Sequence, residues 1–175
     1  MFKIIRQIQR IGIITEAVPT EPTLAELGIV LKQQVTRYFH GSFAIRAVDA
    51  GSCNGCELEI HALNNAFYDI ERFGVHFVAS PRHADALLVT GPITQHMAVA
   101  LQRTYNALPD PKWVMAMGHC PINGGEFGAS YACLGDITQV VPVALTIPGC
   151  PPTPETLLRG ILTLITSNPL GSNTI

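Results

Sequence analysis

Five short apolar or β-branched runs, at 43–50, 75–79, 86–91, 112–118 and 144–149, alternate along the chain with segments of helical period. That alternation leaves few folds open. Strands that are apolar on both faces need cover on both sides, and parallel strands joined by helices supply it. The helical segments are distinct. Leu24, Leu27, Leu31 and Val35 mark a helix over 23–38 with Thr23 as its cap. Ile60, Leu63, Phe67 and Ile70 mark another over about 57–73, closed by Gly74. Thr94 opens a helix that runs to about residue 107, before Pro109. The last begins with Thr153 as cap, Pro154 at the first position and Glu155 near the positive end of the dipole, and buries Leu157, Leu158, Ile161, Leu162 and Ile165. The pattern predicts an α/β sandwich built on a mostly parallel sheet.

The ends are different. Residues 1–14, "MFKIIRQIQRIGII", place Phe2, Ile4, Ile5, Ile8 and Ile11 on one broad helical face and Lys3, Arg6 and Arg10 toward the other. A basic amphipathic helix of this kind fits a membrane surface or a groove on a partner. "EAVPTEPT" (16–23) follows as a linker, and the chain finishes in a loose tail, "SNPLGSNTI". The predicted division is an N-terminal arm, linker and helix over 1–42, a main domain over 43–167 and a tail over 168–175.

Only 14% of the residues are charged, where about 25% is usual in a soluble domain. A surface so poor in charge implies cover by partner subunits or contact with a membrane. The net charge of −2 lacks the basic excess of a nucleic-acid binder. No run of about 18 apolar residues is present to span a bilayer, and the N-terminus has no signal-peptide pattern. The expectation is a cytoplasmic chain with reduced cysteines, where a CxxC pair points to a metal or to redox chemistry.

Three cysteine-bearing turns (51–56, 118–121 and 148–152) each follow the carboxyl end of a predicted strand, the edge where open α/β sheets bind ligands. Cys53, Cys56, Cys120 and Cys150 sit in Gly-Ser-Cys, Asn-Gly-Cys, His-Cys-Pro and Gly-Cys-Pro-Pro settings. Glycine lets the backbone approach and turn its amides toward sulfur. Proline after a ligating cysteine stiffens the turn, as at the end of the bacterial ferredoxin run. Four thiolates match the four irons of one 4Fe-4S cube, and five cysteines cannot hold two such cubes. Two other readings of the same residues stand beside it: a four-thiolate zinc site and a thioredoxin-like pair at 53–56. Cys133, in "SYACLG", lacks the glycine or proline setting and is expected to be a buried free thiol. His119 adjoins Cys120, where it either tunes a bound cluster or packs at the loop base. Glu57 follows Cys56 directly, as a first-turn helix acid or as a proton carrier. His40, His61, His76, His83 and His96 share no spacing.

The motifs "GSCNGCELEI", "SPRHADALLVTGPIT", "GHCPINGG" and "IPGCPPTPETLLRGI", in this order, resemble the small subunit of membrane-bound, energy-converting nickel-iron hydrogenases of the formate hydrogenlyase type. The same superfamily holds the 20-kilodalton iron–sulfur subunit of respiratory complex I. The resemblance covers roughly 43–165. Complex I subunits have their first two ligands adjacent, whereas Cys53 and Cys56 are separated, as in the hydrogenases. The resemblance implies a flavodoxin-like domain with one proximal 4Fe-4S cluster on Cys53, Cys56, Cys120 and Cys150. It also implies electron exchange with a nickel-iron centre in a large partner subunit. The large subunit, further iron–sulfur and membrane subunits, and a peripheral place on the cytoplasmic side of the membrane are the implied surroundings. Lacking two widely separated CxxC pairs for nickel and iron, the chain is expected to be a redox subunit without catalysis of its own. The alternative is a complex I-like module that passes electrons to a quinone. "SPRHAD" and "TGPIT" would frame the same rim, with Thr90 and Gly91 at a strand end where the backbone could approach the cluster.

Overall fold

A computed structural model describes Lys3, Arg6 and residues 24–167. Lys3 and Arg6 are helical and exposed; the rest of the predicted arm, the linker with Thr23, and the tail lie outside the described residues. The elements in chain order are α1 (Leu24–Phe39), β1 (Phe43–Asp49), α2 (Gly55–Leu63), β2 (Val75–Phe77), β3 (Ala86–Thr90), α3 (Gln95–Asn106), β4 (Trp113–Met117), the one-turn α4 (Cys120–Asn123), β5 (Leu145–Ile147) and α5 (Pro154–Ser167). All five strands are parallel, in the order β2-β1-β3-β4-β5. This is the doubly wound flavodoxin-like order, with its switch point between β1 and β3.

Two apolar layers sandwich the sheet. On one face, Leu31, Val35 and Phe39 of α1, Ile60 and Leu63 of α2, and Leu157, Ile161 and Ile165 of α5 pack on Phe43, Ile45, Leu88 and Met115. On the other, Leu101 of α3 packs with Ile137 and Val141 against Leu87, Val89 and Val114. Central β3 is buried at every residue, as a strand covered on both sides must be.

α1 comes close to the 3₁₀ turn Ile70–Phe73 because Gly28 has no side chain. A Cβ there would lie 2.1 Å from the buried Phe73 ring. Gly28→Ala gains about 1 kcal/mol of helix propensity but overpacks a filled core, which typically costs about 1–3 kcal/mol. The expected outcome is a lower urea midpoint; an unchanged or higher midpoint would show that the ring yields freely.

One predicted helix is interrupted. The segment 57–73 divides into α2, ending at Leu63, and the later 3₁₀ turn. Asn65 causes the break: its side-chain oxygen accepts hydrogen bonds from the Phe67 and Tyr68 amides at 2.8 and 3.0 Å, competing with the helical ladder. Phe67 is consequently 67% exposed and not on the buried face, while Ile60, Leu63 and Ile70 are buried as expected. Gly74 closes the 3₁₀ turn at φ 86°. Thr94 precedes α3 without a side-chain cap bond, whereas Thr153 accepts from the Thr156 amide at 3.3 Å.

Asp85 ties β1 to the start of β3: its Oδ2 accepts the Ala44 N–H at 2.7 Å and its own N–H donates to the Ala44 carbonyl. Burial pushes this carboxyl above its ordinary 3.8, against the opposing pull of the Ala44 amide. The folded state therefore keeps the proton longer than the unfolded chain. Stability falls as pH rises through that window, and the ionised group is a cost above it. Asp85→Asn, which retains an acceptor, should be more stable than the native chain at pH 7, with the advantage vanishing below the ordinary carboxylate range. Thermal melts from pH 3 to 8 would check this; a pH-independent difference would contradict it.

Candidate metal centre

Parallel register brings the strand ends to one edge. Asp49 pairs with Thr90 across β1 and β3, and Met117 with Ile147 across β4 and β5. The turns that leave this edge are stitched together by backbone bonds. Ala50 N–H donates to Thr90, Thr94 N–H to Ala50, Gly118 N–H to Ile147 and His119 N–H to Gly149. Cys53 and Cys56 thus follow β1, Cys120 follows β4 and Cys150 follows β5.

Each turn has a local cause. Asp49 Oδ1 accepts the Gly51 and Ser52 amides at 2.8 and 2.7 Å, which bends the chain out of β1. Asn54 then adopts left-handed φ 70° and starts α2, a conformation that asparagine tolerates. The two glycines of consequence are Gly118 and Gly125, both at positive φ. A Cβ on Gly118 would stand 2.9 Å from the Cys56 sulfur, and one on Gly125 would stand 2.7 Å from the Cys120 sulfur. Backbone therefore lies directly against two of the four thiols.

Cys53 and Cys150 are exposed, Cys56 is half-buried and Cys120 is buried. Burial pushes the Cys56 thiol up to about 12, and the charges of Glu57, Cys120, Cys53 and Cys150 add to the rise. Cys120 is raised too, first by burial and then by Cys150 and Cys53, while its own amide and that of Glu126 pull the other way. The four thiols therefore share one electrostatic neighbourhood. Cys133 is not among the groups acting on Cys56 or Cys120; it is partly exposed, and its residue forms an isolated bridge with Thr94. His119 is exposed, at the foot of α4. Among the described residues, no three His, Cys, Asp or Glu side chains close to the spacing of a single metal ion. The rim thus has four thiols in proximity without a one-ion cage.

Glu57 is half-buried at the same rim. Ser52 Oγ donates to its Oε2 at 2.7 Å, and Thr90 Oγ1 donates to its Oε1. Gly91 lies against the loop: a Cβ there would be 2.8 Å from the Ser52 nitrogen. Thr90 and Gly91 lie at the rim as expected, but "SPRHAD" does not: residues 80–85 precede β3, and Asp85 bonds to Ala44 at the start of β1, so the segment sits at the opposite edge of the sheet. The glycines of "GHCPINGG" were visible in sequence, but the Glu126 amide beside Cys120 was not.

A flavodoxin-ordered sheet with cysteine turns along its carboxyl edge belongs to a defined class. The chain is a member of the family described as NADH ubiquinone oxidoreductase, 20 Kd subunit, whose model matches residues 53–164. Particular relatives are oxidoreductase subunits. The chain is 44% identical over 129 residues to the probable membrane-bound hydrogenase subunit mbhJ of Pyrococcus furiosus, covering 74% of this chain and 77% of that protein. It is 41% identical over 143 residues to formate hydrogenlyase subunit 7 of Escherichia coli, covering 82% of this chain and 56% of that longer relative. Among solved structures, a chain of the membrane-bound sulfane sulfur reductase, an archaeal respiratory membrane complex, matches with a TM-score of 0.64 and 36% identity over 78% of this chain and 73% of that one. A chain of an NAD+-reducing NiFe hydrogenase shares the fold, with a TM-score of 0.55 and 19% identity over 73% of this chain and 93% of that one. No helix among the described residues is long and apolar enough to cross a membrane.

Thiol reactivity tests the geometry of the rim. A thiol at about 12 leaves on the order of one thiolate in ten thousand at pH 8. In the metal-free folded chain, alkylation and peptide mapping should label exposed Cys53 and Cys150 first and Cys56 last. The Cys56 rate should climb with pH, and uniform labelling of all four at pH 8 would contradict the burial described.

Proposed function

We propose that this chain is the electron-transfer subunit of a membrane-bound nickel-iron hydrogenase, holding one 4Fe-4S cluster on Cys53, Cys56, Cys120 and Cys150. The observation that carries the reading is the meeting of four thiols from three separate turns on one sheet edge, with backbone against the sulfurs of Cys56 and Cys120. The donor set fits the group. It is all thiolate, one per iron, with glycine where a side chain would crowd the sulfurs and an amide at Glu126 directed to Cys120. When bound, the cluster supplies one-electron exchange with a nickel-iron centre in a large partner subunit.

The chain's own residues supply position and environment. Burial and mutual repulsion keep the Cys56 and Cys120 thiols protonated in the empty site. Cys56 and Cys120 would give up these protons on binding a cluster, so uptake would be accompanied by proton release. The turns leave Cys53 and Cys150 outermost, on the side offered to a partner. The separated spacing Cys53-Asn54-Gly55-Cys56 and the hydrogenase subunits among the relatives favour a nickel-iron partner. The membrane-bound complexes of these relatives support peripheral attachment to a membrane, and we place the chain on its cytoplasmic side.

The test is metal analysis of the complex isolated anaerobically through this chain. Iron together with nickel, and a cluster signal in electron paramagnetic resonance (EPR), are the expected results. Iron without nickel would favour a complex I-like, quinone-reducing module. Zinc alone would overturn the redox reading. Cys120→Ser and Cys150→Ser should each abolish the signal, while Cys133→Ser should leave it intact; the opposite pattern would reassign the ligands.

A further inference from the structure

We infer that Glu57 is a positioning residue for the first cysteine pair, its carboxylate closing the loop 52–57 through Ser52 and locking it to the end of β3 through Thr90. This rests on the reading of Cys53 and Cys56 as ligands. The two bonds use different oxygens, Oε2 for Ser52 and Oε1 for Thr90, so one side chain ties together two elements. Cys53 and Cys56 both lie inside the ring that the Ser52–Glu57 bond closes. Ser52 Oγ also accepts the Asn54 amide at 3.1 Å, which shapes the interior of that ring.

The other end of the lock is fixed. Thr90 is 1% exposed and is the buried polar residue of the described core. Its hydroxyl has one proton, and the acceptors within reach are Glu57 Oε1 and, at 3.4 Å, the Val48 carbonyl. Gly91 lets the loop lie directly on the strand end, and Asp49 holds the loop's entry through two amides. Glu57 is thus the closing fastener of a segment already fixed at its start. An acid in the first turn of α2 would stabilise the helix dipole without help. That role needs neither the Ser52 hydroxyl nor Thr90, which is 33 residues away in sequence.

A carboxylate accepts both hydroxyl protons; the amide of Glu57→Gln presents a donor to one of them and keeps only half of the lock. The test uses the intact complex, prepared anaerobically with Glu57→Ala, Glu57→Gln, Thr90→Val and Thr90→Ser. Iron release to a ferrous chelator and the EPR line shape are measured at matched starting iron. Glu57→Ala and Thr90→Val should each release iron on the order of tenfold faster, as expected for a lost hydrogen bond to a charged group. Combining them should be no faster than Glu57→Ala alone, because both cut the same bond. Thr90→Ser, which keeps the hydroxyl, should restore the native rate and line shape. Equal rates in Glu57→Ala and the native complex, or fully additive effects, would overturn the proposal. Should Glu57→Ala fail to assemble, identical release from Thr90→Val and Thr90→Ser would overturn it. Absence of iron from the native complex would overturn the cluster reading and the lock with it, whereas iron with equal release rates would overturn the lock alone.

Discussion

Parallel pairing with Asp49 opposite Thr90 and Met117 opposite Ile147 sends the turns after β1, β3, β4 and β5 off one edge of the sheet. Everything about the rim depends on that register. Cys53 and Cys150 are 97 positions apart in the sequence, and no local interaction could bring them together. The backbone ladder does so, and the two buried layers hold the ladder in place because a parallel sheet requires cover on both faces.

On this frame, the chemistry of the rim is a balance between burial and repulsion. Bringing four thiols together while desolvating two of them raises Cys56 to about 12 and raises Cys120 as well. Cys56 and Cys120 therefore favour the neutral thiol unless a cationic group offsets the charge. Glycines 118 and 125 allow the close approach of backbone and sulfur. The Glu57 carboxylate, between Ser52 and Thr90, holds the loop that carries two of the thiols. The packing that positions the sulfurs also makes the empty site electrostatically unfavourable for thiolates.

Much of this was legible in the sequence. The cysteine settings, Gly-Ser-Cys to Gly-Cys-Pro-Pro, are local, so their turns could be read without knowing the fold. The strands announced themselves because buried parallel strands are short and continuously apolar, as "ALLVT" is in β3. The helix over 57–73 is interrupted even though its apolar spacing continues through Phe67, because the Asn65 side chain captures two amides and breaks the ladder. A polar side chain that competes for the backbone leaves no trace in hydrophobic periodicity. Cys133, expected to be buried, is partly exposed instead, and its bridge to Thr94, 39 residues earlier, is a tertiary contact that local spacing does not show.

By itself the sequence determined the elements and the kind of ligand the chain offers. Apolar period sets strand or helix, and four cysteines beside glycine or proline set the turns that carry the thiols. Tertiary structure alone decided which groups meet. Strand order and register chose the neighbours of Cys56, burial set how far its thiol resists ionisation, and the approach of β3 to the first cysteine loop gave Glu57 its second partner in Thr90. The physical reason is one of range. Propensity and spacing act within a few residues, while hydrogen bonds, desolvation and charge act between groups that only the folded sheet brings together.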